Sequence, residues 1–234
     1  MTLYHALDDT DIAGSRGTGR LARSIASDLS RDWPVAAVTR HQLLVHEAIP
    51  FTSHNSCAVL HIPVTNGENA DSIFERARQA ILDDFIEGSD PGLAIASGSQ
   101  VSPALLAFGR DAKTTILSQE TARSLAKNLS IRLEGLGGSE DGVIGAMAGI
   151  GLAAAGSDGR FVQIGRIREI QGPCDAEDLL CAGIDAITTP DGRPVGSGMI
   201  ITPKGKSVKP CMIEGRAILF VEEKNGVWHA IKRD

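Results

Sequence analysis

Three aspartates within four residues, Asp8, Asp9 and Asp11, follow directly on the short apolar run Leu3-Tyr4-His5-Ala6-Leu7. No other stretch constrains the fold as tightly. Carboxylates crowded behind a buried strand repel one another, and a cation relieves that repulsion. The residues that follow, Gly14-Ser15-Arg16-Gly17-Thr18-Gly19, form a small-residue loop. Leu21, Ile25 and Leu29 then repeat at the spacing of one helical stripe. Strand, acidic cluster, glycine loop and helix, in that order, can hold a metal ion and a phosphate side by side. Helix N-termini and loop N–H groups favour anions. Clustered aspartates favour a hard cation such as magnesium, which bridges phosphates. Aspartates also serve as turn formers and helix caps, and both readings stand on pattern alone.

Beyond this stretch the chain alternates strands and helices. Val35 to Thr39 and Cys57 to Val64 read as strands, Gln42 to Ile49 is ambiguous, and 50–56 is a polar loop. Asn69 to Ile86 reads as a helix with Ile73, Ala77, Ala80, Ile81 and Phe85 inward. A short strand is expected over Leu93 to Ala96 and a helix from Ser102 to Phe108, with Pro103 in its first turn. Gln119 to Leu133 is expected to be helical, with Ala122, Leu125, Ala126, Leu129 and Leu133 as its stripe. A second glycine loop, Leu136 to Gly142, opens a small-residue helix over Val143 to Ala155. Read alone, that loop is either an anion cradle or an ordinary interhelix turn. The helix's Gly145, Gly149 and Gly151 cost propensity, and close packing would be their return. Arg160 to Ile170 reads as a strand and Asp175 to Leu180 as a short helix. Turn residues at 189–192, 203–205 and 224–226 then punctuate short apolar runs, a hairpin pattern clearest around Asn225-Gly226. The fold class expected is α/β, mixed α+β, with a small mixed segment near 57–115 and a β-rich tail.

The 234 residues suffice for one large domain or two small ones. Aromatic content is only 4%, so the core must rest on Ala, Val, Ile and Leu. A net charge of −6 argues against nucleic-acid binding by a global positive field. Cys57, Cys174, Cys181 and Cys211 fit no zinc spacing and read as free thiols in a reducing compartment. No apolar run has the length of a membrane span, and the N-terminus has no signal-segment pattern. A cytoplasmic protein is expected.

Arg16 and Arg20 lie near Thr18 and are candidates to neutralise phosphate charge. There is no P-loop, dinucleotide fingerprint or nucleophile elbow. His41, His46 and His54 are better read as packed or surface residues than as a metal set.

Several short motifs resemble those of one family, the archaeal isoleucine-tRNA 2-agmatinylcytidine synthetases. Asp8-Asp9-Thr10-Asp11 with Thr18 beyond it resembles the family's D-D-T-D-S opening. Ile49-Pro50-Phe51, Ala58-Val59 and Pro91-Gly92-Leu93-Ala94-Ile95 follow in the same order. Gly142-Val143-Ile144-Gly145-Ala146-Met147-Ala148-Gly149-Ile150-Gly151 is similar to the family's G-x-I-G-A-L-A-A-I-G, and Ile213-Glu214-Gly215-Arg216 is a weaker echo.

The resemblance implies a kinase-like ATP-binding domain over 1–56 and 116–234, with a ferredoxin-like segment at 57–115. It implies ATP and Mg2+ as cofactors, with Asp8, Asp9 and Asp11 as metal ligands. It places Thr18 at the family's phosphorylatable threonine. Gly17, Gly19, Gly137, Gly138, Gly142 and Gly145 would cradle the nucleotide, and Arg16 would stabilise charge. Two positions depart from the pattern: Ile12 replaces a serine, and Arg16-Gly17-Thr18-Gly19 replaces M-C-T-T. The chain also ends before the family's OB-fold and zinc-ribbon domains, which grip the tRNA. The expected activity is therefore an ATP- and Mg-dependent phosphotransferase or ligase acting on a small molecule. The alternatives are a non-catalytic nucleotide-binding module, or an RNA-modifying enzyme that takes its tRNA grip from a partner chain. A homodimer is compatible with each.

Overall fold

Strand alternation sends Leu3, His5 and Leu7 to one face of the first strand and Tyr4, Ala6 and Asp8 to the other. In the computed structural model, which describes residues 1–52, 54–65, 69–202 and 206–233, this strand is β1 (Thr2–Asp8). It lies at the centre of an antiparallel sheet ordered β5-β4-β1-β3-β2. The other strands are β2 (Ala37–Gln42), β3 (Ser56–Pro63), β4 (Gly92–Ser97) and β5 (Arg132–Gly135). Helices α1 (Thr18–Leu29) and α2 (Ala70–Asp83) pack together on the Leu3 face. Helices α3 (Pro103–Asp111), α4 (Gln119–Asn128) and α5 (Gly142–Ala155) cover the Ala6 face. The order β4-β1-β3-β2, with α1 and α2 as crossings, is the split β-α-β arrangement of ferredoxin-like folds and runs from Thr2 to Ser97. Residues 57–115 supply its second half together with α3.

These elements form the first of two compact units, Met1–Ala155 and Gly156–Asp234. The core of the first is built around α5, which has no polar face and is buried almost throughout. Its glycines do permit close packing. A Cβ added at Gly149 would stand 2.9 Å from Cys57 Sγ of β3, and one at Gly151 would overlap the Leu105 carbonyl of α3. On the opposite face, His5 is fully buried and stacks on Phe74 of α2 at 5.8 Å between ring centroids. Burial lowers the His5 pKa to about 4, so the ring is neutral. Its Nδ1–H donates to the Ala94 carbonyl at 2.9 Å.

Three expected elements differ. The helix from Gln119 stops at Asn128 because Ser130 takes a left-handed φ of 53°. Ser130 N–H then bonds Lys127 O and Ile131 N–H bonds Ala126 O, which is the paired closure of a Schellman end. Leu133, expected on the helix, lies in β5. Helix α2 ends at Asp83, so Phe85 is 42% exposed and not inward. The strand from Arg160 runs only to Ile164, because Gly165 turns the chain at φ 45°.

The second unit is β-rich, as expected. Its strands β6 (Arg160–Ile164), β7 (Cys174–Asp175), β8 (Ala186–Thr188), β9 (Met199–Ile201), β10 (Cys211–Ile213), β11 (Arg216–Lys224) and β12 (Val227–Ala230) accompany one short helix, α6 (Ala176–Cys181). The path is β6-β10-β11-β12-β9-β7, with β8 parallel to β11. Asn225 (φ 53°) and Gly226 (φ 77°) close the β11–β12 hairpin as the sequence predicts. Asn225→Ala puts a Cβ-bearing residue without a local polar partner into that conformation, and should lower stability by about 1 kcal/mol in a urea melt. The turn expected at 203–205 lies outside the described residues. No helix among the described residues is long and apolar enough to cross a membrane.

Candidate functional site

The register of β1 sets Asp8 opposite Gly92 of β4, at the edge of the Ala6 face where α5 begins. A Cβ added at Gly145 would overlap Asp8 Oδ2, so the first turn of α5 lies directly on this carboxylate. Gly142 N–H donates to Asp90 O at 2.9 Å, and an added Cβ there would stand 2.8 Å from the Asp8 carbonyl. The chain leaves β1 through Asp9, whose φ of 52° is left-handed, a conformation that aspartate tolerates better than most residues. The Asp9 carbonyl accepts from Asp90 N–H at 3.2 Å, which draws the 88–92 turn against the cluster.

The result is a field of carboxylates. Burial pushes the Asp8 pKa up to about 8, and the charges of Asp9 and Asp11 add to the effect. Burial also pushes Asp9 up to about 6, with Asp90, Asp11 and Asp141 each raising it further. Asp11 is engaged differently. Its Oδ1 accepts from the Thr18 hydroxyl at 2.7 Å and from Thr18 N–H at 3.3 Å, and its Oδ2 accepts from the Thr52 hydroxyl at 3.2 Å. Thr10 donates to Thr18 Oγ1 at 3.2 Å. Thr18, the first residue of α1, is thus buried and held by two side-chain bonds.

Asp8, Asp9, Asp11, Thr18, Gly142 and Gly145 all line one cleft of 180 Å³ in the first unit. The remaining wall comes from Leu43, the segment 48–52, His54, Asn55, Ser56, Ala112, the 115–117 segment, Asp141 and Ile144. No Lys or Arg is among the described residues that line it.

The other candidates stand elsewhere. Arg16 reaches Asp84 at 2.7 Å in an exposed ion pair. Gly17 (φ 79°) caps α1, and the Gly19 carbonyl accepts from Arg23 at 2.6 Å. Gly137 lies against the Phe85 ring and Gly138 against Asp90, whose carboxylate accepts from Ser139 N–H.

Sequence reasoning missed Asp90, Asp141 and Thr52 as site residues. Asp141 was visible as an acid inside the second glycine loop. Asp90 was visible only as the residue before the Pro91-Gly92 turn. Thr52, distant in sequence from Asp11, carried no signal.

No protein-family model and no curated protein matches the sequence. Solved structures do. The chain matches apo TiaS, a tRNA agmatidine synthetase, with a TM-score of 0.54 at 20% identity. It matches the complex of TiaS with its isoleucine tRNA and ATP with a TM-score of 0.56, also at 20% identity. A tRNA fluorescent labeling enzyme matches with a TM-score of 0.54 at 20% identity. The chain shares part of the TiaS fold. Each match covers 64% of this chain and 35% to 36% of the TiaS-like chain, so the likeness spans about a third of those proteins. At this identity it establishes the fold and leaves the chemistry to be argued from the residues.

Among the described residues no group of three His, Cys, Asp or Glu side chains is gathered for a metal ion. Both oxygens of Asp11 accept hydrogen bonds, from Thr18 and from Thr52. Asp8 and Asp9 remain as hard oxygen donors whose charge is unfavourable where they stand. That set suits magnesium, which takes one or two carboxylates and fills its other positions with water and phosphate oxygens.

Proposed function

We propose that the first unit binds ATP with Mg2+ in this cleft and works as a phosphotransferase or ligase on a small molecule. The observation that carries the reading is the set of carboxylates Asp8, Asp9, Asp11 and Asp141 in a cleft lined by no Lys or Arg among the described residues, with Asp90 near enough to Asp9 to raise its pKa further. A triphosphate cannot approach such a wall by itself, so it would enter with a cation. Asp8 and Asp9 would hold Mg2+, which when bound neutralises triphosphate charge. The N-terminal turn of α5 beside Asp8 adds the positive end of a helix dipole, while its Gly142, Val143 and Ile144 N–H groups are bonded to the Asp90, Glu140 and Asp141 carbonyls. Thr18 Oγ1, with Asp11 as its hydrogen-bond acceptor, would contact or receive a phosphoryl group. Positioning and electrostatics would supply most of the rate, as is general for phosphoryl transfer. The TiaS fold, solved in complex with ATP in that protein, supports the reading.

The test is Mg-dependent nucleotide turnover followed by product analysis. Thr18→Ala should cut turnover by about tenfold or more, and Thr18→Ser, which keeps the hydroxyl, should retain most of it. Equal rates for wild type, Thr18→Ala and Asp8→Asn would overturn the assignment. Tight MgATP binding with no product would point instead to a regulatory module.

A further inference from the structure

Of the described acids that line the cleft, Asp141 alone lies outside the 8–11 run. Its charge acts on Asp9, and so does that of Asp90. Like charges so placed repel one another and push Asp141 outward. The loop that carries it offers little resistance of its own. Gly137 and Gly138 have no side chains to pack, Ser139 is exposed, and Glu140 takes a left-handed φ of 65°. Groups outside the loop must therefore keep Asp141 on the cleft wall.

Helix α4 supplies them. Gln119 is the first residue of α4 and does not itself line the cleft. Its Nε2 donates to Asp141 Oδ1 and to the Ser139 carbonyl, both at 2.7 Å. Both partners only accept, so the amide nitrogen must be the atom that faces them. Its Oε1 accepts from the Arg123 guanidinium at 3.4 Å, a group that only donates. All three bonds agree on one orientation of the amide. Arg123, one turn further along α4, also pairs with Glu140, and Ser139 N–H donates to the Asp90 carboxylate. Residues 139, 140 and 141 are each fastened by a side chain from another element. The bonds from α4 are exposed to water, and exposed polar contacts contribute little to the stability of a whole fold. What they fix is where one carboxylate stands.

We propose that Gln119 is a positioning residue: by donating to Asp141 and to the Ser139 carbonyl, it holds the Asp141 carboxylate beside Asp9 and so sets how tightly the cleft takes a divalent cation. Resting on the magnesium reading above, this gives a role at that site to a residue outside the cleft. An amide suits the task because it donates without adding positive charge. A lysine at 119 would donate too, but would cancel charge that attracts the cation. A glutamate would set an acceptor against two acceptors.

Mn2+ stands in for magnesium in the test, and its binding to the full chain is followed by loss of the free-ion EPR signal. Gln119→Ala and Gln119→Met, the second of similar length and without an N–H, should each weaken Mn2+ binding by about tenfold, the lower end of what losing an outer-shell partner costs. Asp141→Asn should weaken it as well, and Gln119→Ala added to Asp141→Asn should cost nothing further, because the amide acts through that carboxylate. The metal-free melting temperatures of both Gln119 variants should stay within about 2 °C of wild type. Unchanged Mn2+ affinity in Gln119→Ala or Gln119→Met overturns the proposal. So does a double variant whose loss is the sum of the two single losses, or a larger fall in metal-free melting temperature, which would make the role of Gln119 structural. If wild type takes up no Mn2+, with or without ATP, the cation reading itself fails, a result distinct from the others.

Discussion

Asp8→Asn is expected to raise the melting temperature of the metal-free protein while it removes Mg-dependent nucleotide turnover. The two effects share one cause. Asp8 is buried at the end of β1, with Asp9 and Asp11 adding like charge. An asparagine has nearly the same shape and carries no charge into that environment. Burial raises the Asp8 pKa to about 8, so at neutral pH folding must hold this carboxyl protonated, a cost that a neutral isostere does not carry, and a gain of about 2 kcal/mol is expected. The carboxylate is also the hard donor that magnesium would need, so turnover should fall by about a hundredfold or more. Thermal melts with and without Mg-ATP check both halves. Wild type should gain stability from the ligand by mass action, and the variant should not. A variant that melts lower than wild type in metal-free buffer would show that Asp8 serves the fold and not a ligand.

Gly92→Ala should be among the most damaging single-methyl changes in the first unit. The added Cβ would overlap the Gly142 backbone, and backbone cannot step aside as a side chain can. Either the N-terminus of α5 lifts from the sheet or β4 bends away from β1. Overpacking of this kind costs about 3 kcal/mol at the upper end of its usual range, and that loss should appear as a lower urea midpoint. Gly196→Ala is the control, since no atom lies within 4 Å of its Cβ position and its φ is not in the left-handed region. It should melt within about 0.5 kcal/mol of wild type, as surface substitutions usually do. A Gly92→Ala protein as stable as that control would mean that α5 does not seat against β4 as described.

What the sequence made legible was local. Asp8, Asp9 and Asp11 stand together in the chain, and their placement after an apolar run was enough to mark a site. The Asn225-Gly226 hairpin was readable because two left-handed residues in a row have few alternatives. Non-local partners were hidden. Asp90 joins the cluster only because the antiparallel register sets Asp8 against Gly92, and register depends on the whole sheet. Arg16 stands beside Thr18 in sequence, and its exposed ion pair with Asp84 at the end of α2 was equally invisible there. The Leu129–Leu133 spacing satisfied a helical stripe while the chain changed from helix to strand between them. Both residues pack against the same core cluster by different geometries, so periodicity could not separate them.

The position of α5 also bears on how this unit reaches its native state. Asp8 is synthesised before the helix turn that rests on it, and more than 130 residues separate the two. Until α5 docks, β1, β3 and β4 lack the cover over one face, and the helix exposes apolar surface on every side. Closing such a long loop is slow, and an uncovered apolar helix is prone to self-association while it waits. Until that docking, the carboxylates at 8–11 lack the cover of the α5 turn and are screened by water. The burial that raises Asp8 and Asp9 is complete only once that helix is seated.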